Sequence, residues 1–199
     1  MISIINYEAG NLASVSNALT RIGAPHQITS ERDILDASEA VIFPGVGHAQ
    51  AAMESLERRG LVSWLKSTRK PVLGICLGMQ LLYESSEEGD SAGLGIIPGR
   101  LLKFNDEAMK VPHLGWNDFA RMDSEHPLLR GLQPENQMYY VHSYFAPENE
   151  FTLASCGYGG SFAAVCGRDN FLGVQFHPEK SGENGEILLR NFVYWVQNH

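Results

Sequence analysis

Apolar residues fall in short blocks through the first half of the chain. Each block is followed by a turn signal and then by apolar positions at helical spacing. "SIIN" (3–6) gives way to "YEAG", after which Leu12, Val15, Leu19 and Ile22 recur every three or four residues until Gly23. "AVIF" (40–43) meets "PGVG", and a helical pattern then runs through Ala52, Met53 and Leu56 to Gly60. "VLGI" (72–75) runs straight into Cys76, and the stretch 77–84 reads as the next helix. Strand, tight turn and helix, three times over, predict a parallel sheet covered by helices. The blocks are apolar throughout rather than alternating, as expected for strands buried on both faces.

After about residue 94 the pattern changes. "GIIPGRLLKF", "NQMYYVHSYFA", "FTLASCGYG", "FAAVCGRDN" and "FLGVQF" read as strands joined by Gly, Asn and Asp turns. Helix returns at the end, where Ile187, Leu188, Phe192, Trp195 and Val196 fit one face. The expectation is an α/β fold with a mixed sheet, its antiparallel additions in the second half. A length of 199 residues suits one domain, 1–199, and no repeat, low-complexity segment or linker divides it.

Composition narrows the function. A net charge of −8 argues against general nucleic-acid binding, which wants a basic surface. No apolar run approaches the roughly 20 residues that span a bilayer. The N-terminal "MISIINYEAGN" has no basic segment ahead of an apolar core, so no signal peptide is expected. Cys76, Cys156 and Cys166 have no metal-site spacing, and their odd number fits reduced thiols in the cytoplasm. The acidic cluster "ESSEEGD" (84–90) reads as a solvated loop.

The candidate chemistry centres on "GICLG". In α/β sheets ligands gather at the carboxyl ends of strands, and Cys76 sits at such an end. Gly74 and Gly78 flank it at two residues on each side, the logic of a nucleophile elbow with cysteine as the attacking group. A following helix N-terminus would favour a thiolate, and the N–H of Leu77 is placed to donate to an oxyanion. Cys156 and Cys166 lie inside strand patterns with no such turn and read as structural. The base is offered by "VQFHPEKS" (174–181). His177 closes an apolar strand, Pro178 holds it extended, and Glu179 two residues on returns to the same side, where a carboxylate fixes the imidazole. "FPGVGHA" (43–49) fails as a dinucleotide fingerprint because Gln50 stands at the third glycine position. A second oxyanion donor from Val46 or Gly47 is the better reading, beside the plainer one of a tight turn started by Pro44.

"PGVG", "GICLGMQLL" and "GVQFHPEKS", in this order, resemble the class I glutamine amidotransferases over essentially the whole chain. "NYEAGNL" (6–12) and "VPHLGWN" (111–117) resemble more narrowly the glutaminase subunits of imidazole glycerol phosphate synthase in histidine biosynthesis. The resemblance implies a flavodoxin-like, three-layer fold with a mostly parallel central sheet. It implies that Cys76, His177 and Glu179 hydrolyse glutamine through a thioester. Leu77, Val46 and Gly47 would form the oxyanion hole. Gln80, His142 and Ser143 match glutamine-binding positions. The ammonia would pass to a cyclase subunit, a (β/α)₈ barrel forming a heterodimer with this chain. Asn11, Pro112, His113, Gly115, Trp116 and Asn117 match contact positions. Trp116 by itself reads equally as an exposed anchor or a core tryptophan. No metal or organic cofactor is implied, and no synthase domain is expected fused after His199. The rival readings are a glutaminase for another synthase, a free-standing cysteine hydrolase, and a non-catalytic binding subunit.

Overall fold

The computed structural model of the chain describes residues 1–198. Its first half alternates strands and helices: β1 (Ile2–Ile5), α1 (Leu12–Arg21), β2 (His26–Thr29), α2 (Arg32–Ala37), β3 (Ala40–Gly45), α3 (Ala49–Arg58), α4 (Leu61–Ser67), β4 (Val72–Cys76) and a short α5 (Leu77–Gln80). The second half is mostly strand: β5 (Tyr83–Ser86), β6 (Ser91–Ala92), β7 (Ile97–Lys103), β8 (His113–Asn117), β9 (Arg121–Met122), β10 (Met138–His142), β11 (Tyr144–Phe145), β12 (Thr152–Gly157), β13 (Ser161–Arg168) and β14 (Phe171–Val174). Helix α6 (Gly182–Gln197) closes the chain.

The central sheet has the order β2-β1-β3-β4-β14-β13-β12-β9. From β2 to β14 every neighbouring pair is parallel, and from β14 to β9 every pair is antiparallel. A mixed, mostly parallel sheet was the expectation. Successive side chains on its strands point to opposite faces, so both faces are covered. Ile4, Ile42 and Leu73 join one core cluster with Leu19 of α1 and Leu188 of α6. Ile5, Phe43 and Val72 join the other, with Leu56 of α3 and Leu65 of α4. Two small sheets, β10-β8 and β11-β7-β5-β6, form the remainder. Among the described residues no helix is long and apolar enough to cross a membrane.

Two expectations fail after Cys76. The stretch 77–84 is not one helix, because α5 ends at Gln80 and the chain re-enters a strand at Tyr83. Pairing of Tyr83 with Ile97 overrides the local helical pattern. The acidic cluster is likewise no free loop. Ser85 and Ser86 pair with β6 and β7, and the Glu88 carboxylate accepts the N–H of Ala49 at 2.7 Å, capping α3. Elements β2, α2, α4 and β8 were not foreseen. Helix α2 has six residues, too few for a periodicity to stand out.

The glycines around Cys76 have a packing cause. A Cβ on Gly78 would lie 1.8 Å from the Phe43 carbonyl oxygen, and one on Gly74 would lie 2.8 Å from the Gly78 backbone. The strand β4, the turn and β3 therefore approach closely only because these positions lack side chains. Gly78→Ala is expected to lower the melting temperature by about 5 °C or more, the scale of an overpacked core. Gly157→Ala, where no atom lies within 4 Å of the added carbon, is the matched control and should melt with the wild type.

Candidate active site

Three parallel strands deliver the site. Gly45 of β3 lies opposite Cys76 of β4, and Val174 of β14 lies opposite Ile75. The "PGVG" turn, the cysteine and the "QFHPE" segment therefore leave the sheet side by side at its carboxyl edge, where such sheets place ligands. Cys76 has φ 52° and ψ −111°, a backbone conformation seldom taken by a residue with a side chain. That is the elbow anticipated from the glycine spacing. Cys76 is 6% exposed and lines a pocket of about 280 Å³ with Val46, Gly47, Leu77, Gln80, Glu88, Pro112, Val141, His142, Ser143, Tyr144 and His177. A larger groove of about 640 Å³ at Ser30–Ile34 and Arg59 is lined by no cysteine or histidine.

His177 and Glu179 are brought together, though by a different local geometry from the expected extended chain. His177 precedes a single 3-10 turn, Pro178–Lys180, which folds Glu179 back. Glu179 Oε1 accepts from His177 Nδ1 at 2.8 Å, with both side chains almost fully buried. The segment is clamped to β10: His177 N–H donates to Tyr139 O at 2.9 Å, and Ser181 Oγ bridges His177 O and Tyr139 N. With Nδ1 occupied, Nε2 is the free nitrogen, and Cys76 is its neighbour. Burial alone would push the imidazolium down. The Cys76 sulfur and the Glu179 carboxylate outweigh it and raise His177 from 6.5 to about 9. Burial instead pushes the Cys156 and Cys166 thiols up to about 12, so their reading as structural stands.

The remaining residues divide. Val46, Gly47 and Leu77 line the pocket as expected. Gln80 lines it too, but its amide nitrogen is committed to Tyr144 O and to Gln175 Oε1, each at 3.0 Å. Its own oxygen is what it offers a ligand. His142 is 5% exposed and both of its ring nitrogens are hydrogen-bonded within the protein. Its Nδ1 donates to Tyr144 O at 2.8 Å, which leaves Nε2 to accept from His113 Nδ1 at 3.0 Å. His113 Nε2 then accepts from Asn117, which also donates to Gly157 O. Burial holds both rings neutral, His113 at about 4 and His142 at about 3.

This chain of bonds corrects one expectation. His113 is 3% exposed and cannot meet a partner through its side chain. Alternation along β8 turns His113 and Asn117 inward and Leu114 and Trp116 outward, each of the latter 54% exposed. Trp116 is thus the exposed aromatic of its two readings, set edge-on to Tyr139. Asn11 caps α1 by accepting from Ser14 N at 3.2 Å. Glu88 and Gln175 were missed. Glu88 sat in an acidic run with no motif, and Gln175 in a strand pattern read only for apolarity.

Residues 4–196 match the glutamine amidotransferase class-I family. The imidazole glycerol phosphate synthase subunit HisH of Bacteroides fragilis (strain YCH46) is 45% identical over 194 residues, covering 96% of this chain and 98% of that protein. The subunit of the same name from Sulfurimonas denitrificans is 44% identical over 203 residues, covering 97% of each. A crystal structure of a glutamine amidotransferase superposes with a TM-score of 0.76 at 16% identity, covering 99% of this chain and 100% of that one. PurLQS from Thermotoga maritima superposes at 0.73 and 19% identity, covering 98% of each chain.

The protonation pattern is testable by nuclear magnetic resonance of the histidine rings. His177 should titrate near 9 and His113 and His142 should stay neutral down to about 4. Because the folded value of His177 is raised, its contribution to stability is complete below pH 6.5 and is lost as pH rises through about 9. Glu179→Gln should bring the His177 midpoint down. A wild-type midpoint at the unperturbed value would refute the charge arrangement.

Proposed function

The chain belongs to the class-I glutamine amidotransferases, among the HisH subunits of imidazole glycerol phosphate synthase, and we propose the following working of its site. The enzyme hydrolyses glutamine to glutamate and supplies the ammonia for imidazole glycerol phosphate synthesis in the histidine pathway. The observation that carries the mechanism is the elbow cysteine lining a pocket beside a buried His177–Glu179 pair.

His177 takes the Cys76 proton, and the thiolate attacks the side-chain amide carbon of glutamine. The negative oxygen of the tetrahedral intermediate is met by backbone N–H groups at Leu77 and at Val46 or Gly47. His177 returns its proton to the leaving nitrogen, and the C–N bond breaks to release ammonia. Water, deprotonated by His177, then attacks the glutamyl thioester. The C–S bond breaks and glutamate leaves with the thiol restored. Glu179 holds the imidazole with Nε2 toward the sulfur and stabilises it while charged. The Glu88 carboxylate, on the pocket wall, suits the α-ammonium of glutamine, and the Gln80 oxygen is a second acceptor.

The ammonia acceptor is a cyclase subunit of (β/α)₈ form in a heterodimer. Two features support this reading. Pro112 lines the pocket, and strand β8, which follows it, presents Leu114 and Trp116 to solvent. An exposed aromatic four residues from a pocket-lining proline is a suitable anchor for a partner. Burial of His113 leaves Leu114 and Trp116 as the strand's large outward residues.

The direct experiment measures glutamate released from glutamine by the chain alone and then with the cyclase and its ribonucleotide. Strong stimulation by the pair, abolished in Cys76→Ala by at least about a thousandfold, is the expected result. Equal turnover with and without the partner would break the assignment to this synthase. Trp116→Ala should weaken the heterodimer about thirtyfold by titration calorimetry, the scale of a hot-spot residue. An unchanged affinity would remove strand β8 from the interface.

A further inference from the structure

We propose that Gln175 is a catalytic residue whose side-chain amide donates a hydrogen bond to the Cys76 sulfur and holds it as a thiolate. The inference rests on the reading of Cys76 as nucleophile. Gln175 is fully buried, one residue beyond β14 and two before His177. Its backbone N–H donates to Ala164 O at 2.9 Å, so the sheet fixes where the side chain starts. Its Nε2 lies 3.8 Å from Cys76 Sγ, in N–H···S geometry.

Which end of this amide faces the sulfur follows from its neighbours. Tyr144 O is a backbone carbonyl and can only accept. Gln80 must therefore turn its NH₂ group toward it, at 3.0 Å. The same nitrogen lies 3.0 Å from the Gln175 amide, so the Gln175 atom there is the oxygen. Nε2 is left to face the sulfur. A run of donors thus begins at a backbone carbonyl and ends on the reacting atom, and both amides are held against flipping.

The thiolate needs such a donor. The Cys76 sulfur also lies 3.9 Å from Val141 O, a carbonyl that can accept from a thiol. Once the thiol proton moves to His177, the same carbonyl presents the negative end of its dipole to a negative sulfur. Helix α5 has only four residues, so its dipole offsets little. The sulfur is nearly excluded from water, where a donated hydrogen bond to a charged group counts for most. A bond of 3.8 Å to a neutral thiol is expected to shorten when the charge forms. Gln80 and Gln175 then have different tasks: the first turns its oxygen to the pocket, the second turns its nitrogen to the nucleophile.

The test is carbamidomethylation of Cys76 by iodoacetamide at neutral pH in the full-length chain, followed by mass spectrometry. Cys156 and Cys166 are buried and serve as internal spectators. Iodoacetamide is small and neutral and carries neither the α-ammonium nor the α-carboxylate of glutamine. Gln175→Met keeps the volume and removes the donor, and Gln175→Asn keeps an amide but withdraws it from the sulfur. Both should slow Cys76 alkylation about tenfold, the effect of one lost hydrogen bond to a charged group. The ultraviolet thiolate absorbance, taken as the difference from Cys76→Ala, should fall in parallel. An unchanged alkylation rate and absorbance in either folded variant overturns the proposal, even if glutamine turnover drops, since Gln175 would then act on substrate alone. Failure of the functional reading looks different: Gln175-dependent alkylation would persist while the wild-type complex released no glutamate.

Discussion

The rest of the site depends on one strained residue. Cys76 is held at φ 52°, a backbone conformation that costs of order 1–3 kcal/mol for a residue with a side chain. The surroundings leave it no other choice. Strand β4 is paired on both sides, with β3 and with β14, up to the residue before the turn. Gly45, Gly74 and Gly78 then let the turn fold down onto β3 at distances that any Cβ would forbid. The strain turns the thiol up from the sheet edge into the pocket, and the absence of side chains around it leaves room for a planar amide. Nucleophile placement is thus a consequence of sheet pairing and of three missing methyl groups.

Much of this was legible in the sequence. A thiol between two glycines after an apolar strand is a local signal, because the turn and its crowding lie within five residues. His177 with Glu179 is local as well, although a 3-10 turn rather than an extended chain makes the contact. The strands of the second half showed through their β-branched and aromatic blocks and their turn residues. Legibility fell where tertiary pairing decides. Leu77 to Gln80 begins as a helix and the same pattern continues past it, but Tyr83 is drawn into a strand by Ile97, a residue fourteen positions on. Short elements such as β2 and α2 carry too few positions for a period to emerge.

Function assigned by motif matching blurs inward and outward residues of one strand. The segment "PHLGWN" reads as one surface patch, yet β8 sends His113 into a buried ring cluster and Leu114 into solvent. His113 stacks on Tyr140 and on Tyr158 with centroids 4.8 and 4.1 Å away. It also fixes the tautomer of His142 by donating to its Nε2. The strand that displays Trp116 is therefore anchored by a residue whose ring touches a pocket-lining histidine. Surface and pocket share one two-residue period, so a substitution at an inward position of β8 acts on the site without touching any partner.

The strand that carries the base matters as much as the strand that carries the nucleophile. Parallel pairing of β14 with β4 puts Val174 level with Ile75, so Gln175 leaves the sheet level with Cys76. One register step later is Phe176, packed into the core at 0% exposure, and two steps later is His177. Gln175 and His177 both reach the sulfur, while Phe176 between them packs into the core. A slip of one residue in this pairing would exchange the polar pair for the phenyl ring and empty the site of both groups at once. The register is protected against that slip by the burial of Phe176 and by the backbone bonds of Gln175 to Ala164 and of His177 to Tyr139. The catalytic constellation is therefore a property of sheet register, which no single stretch of sequence contains.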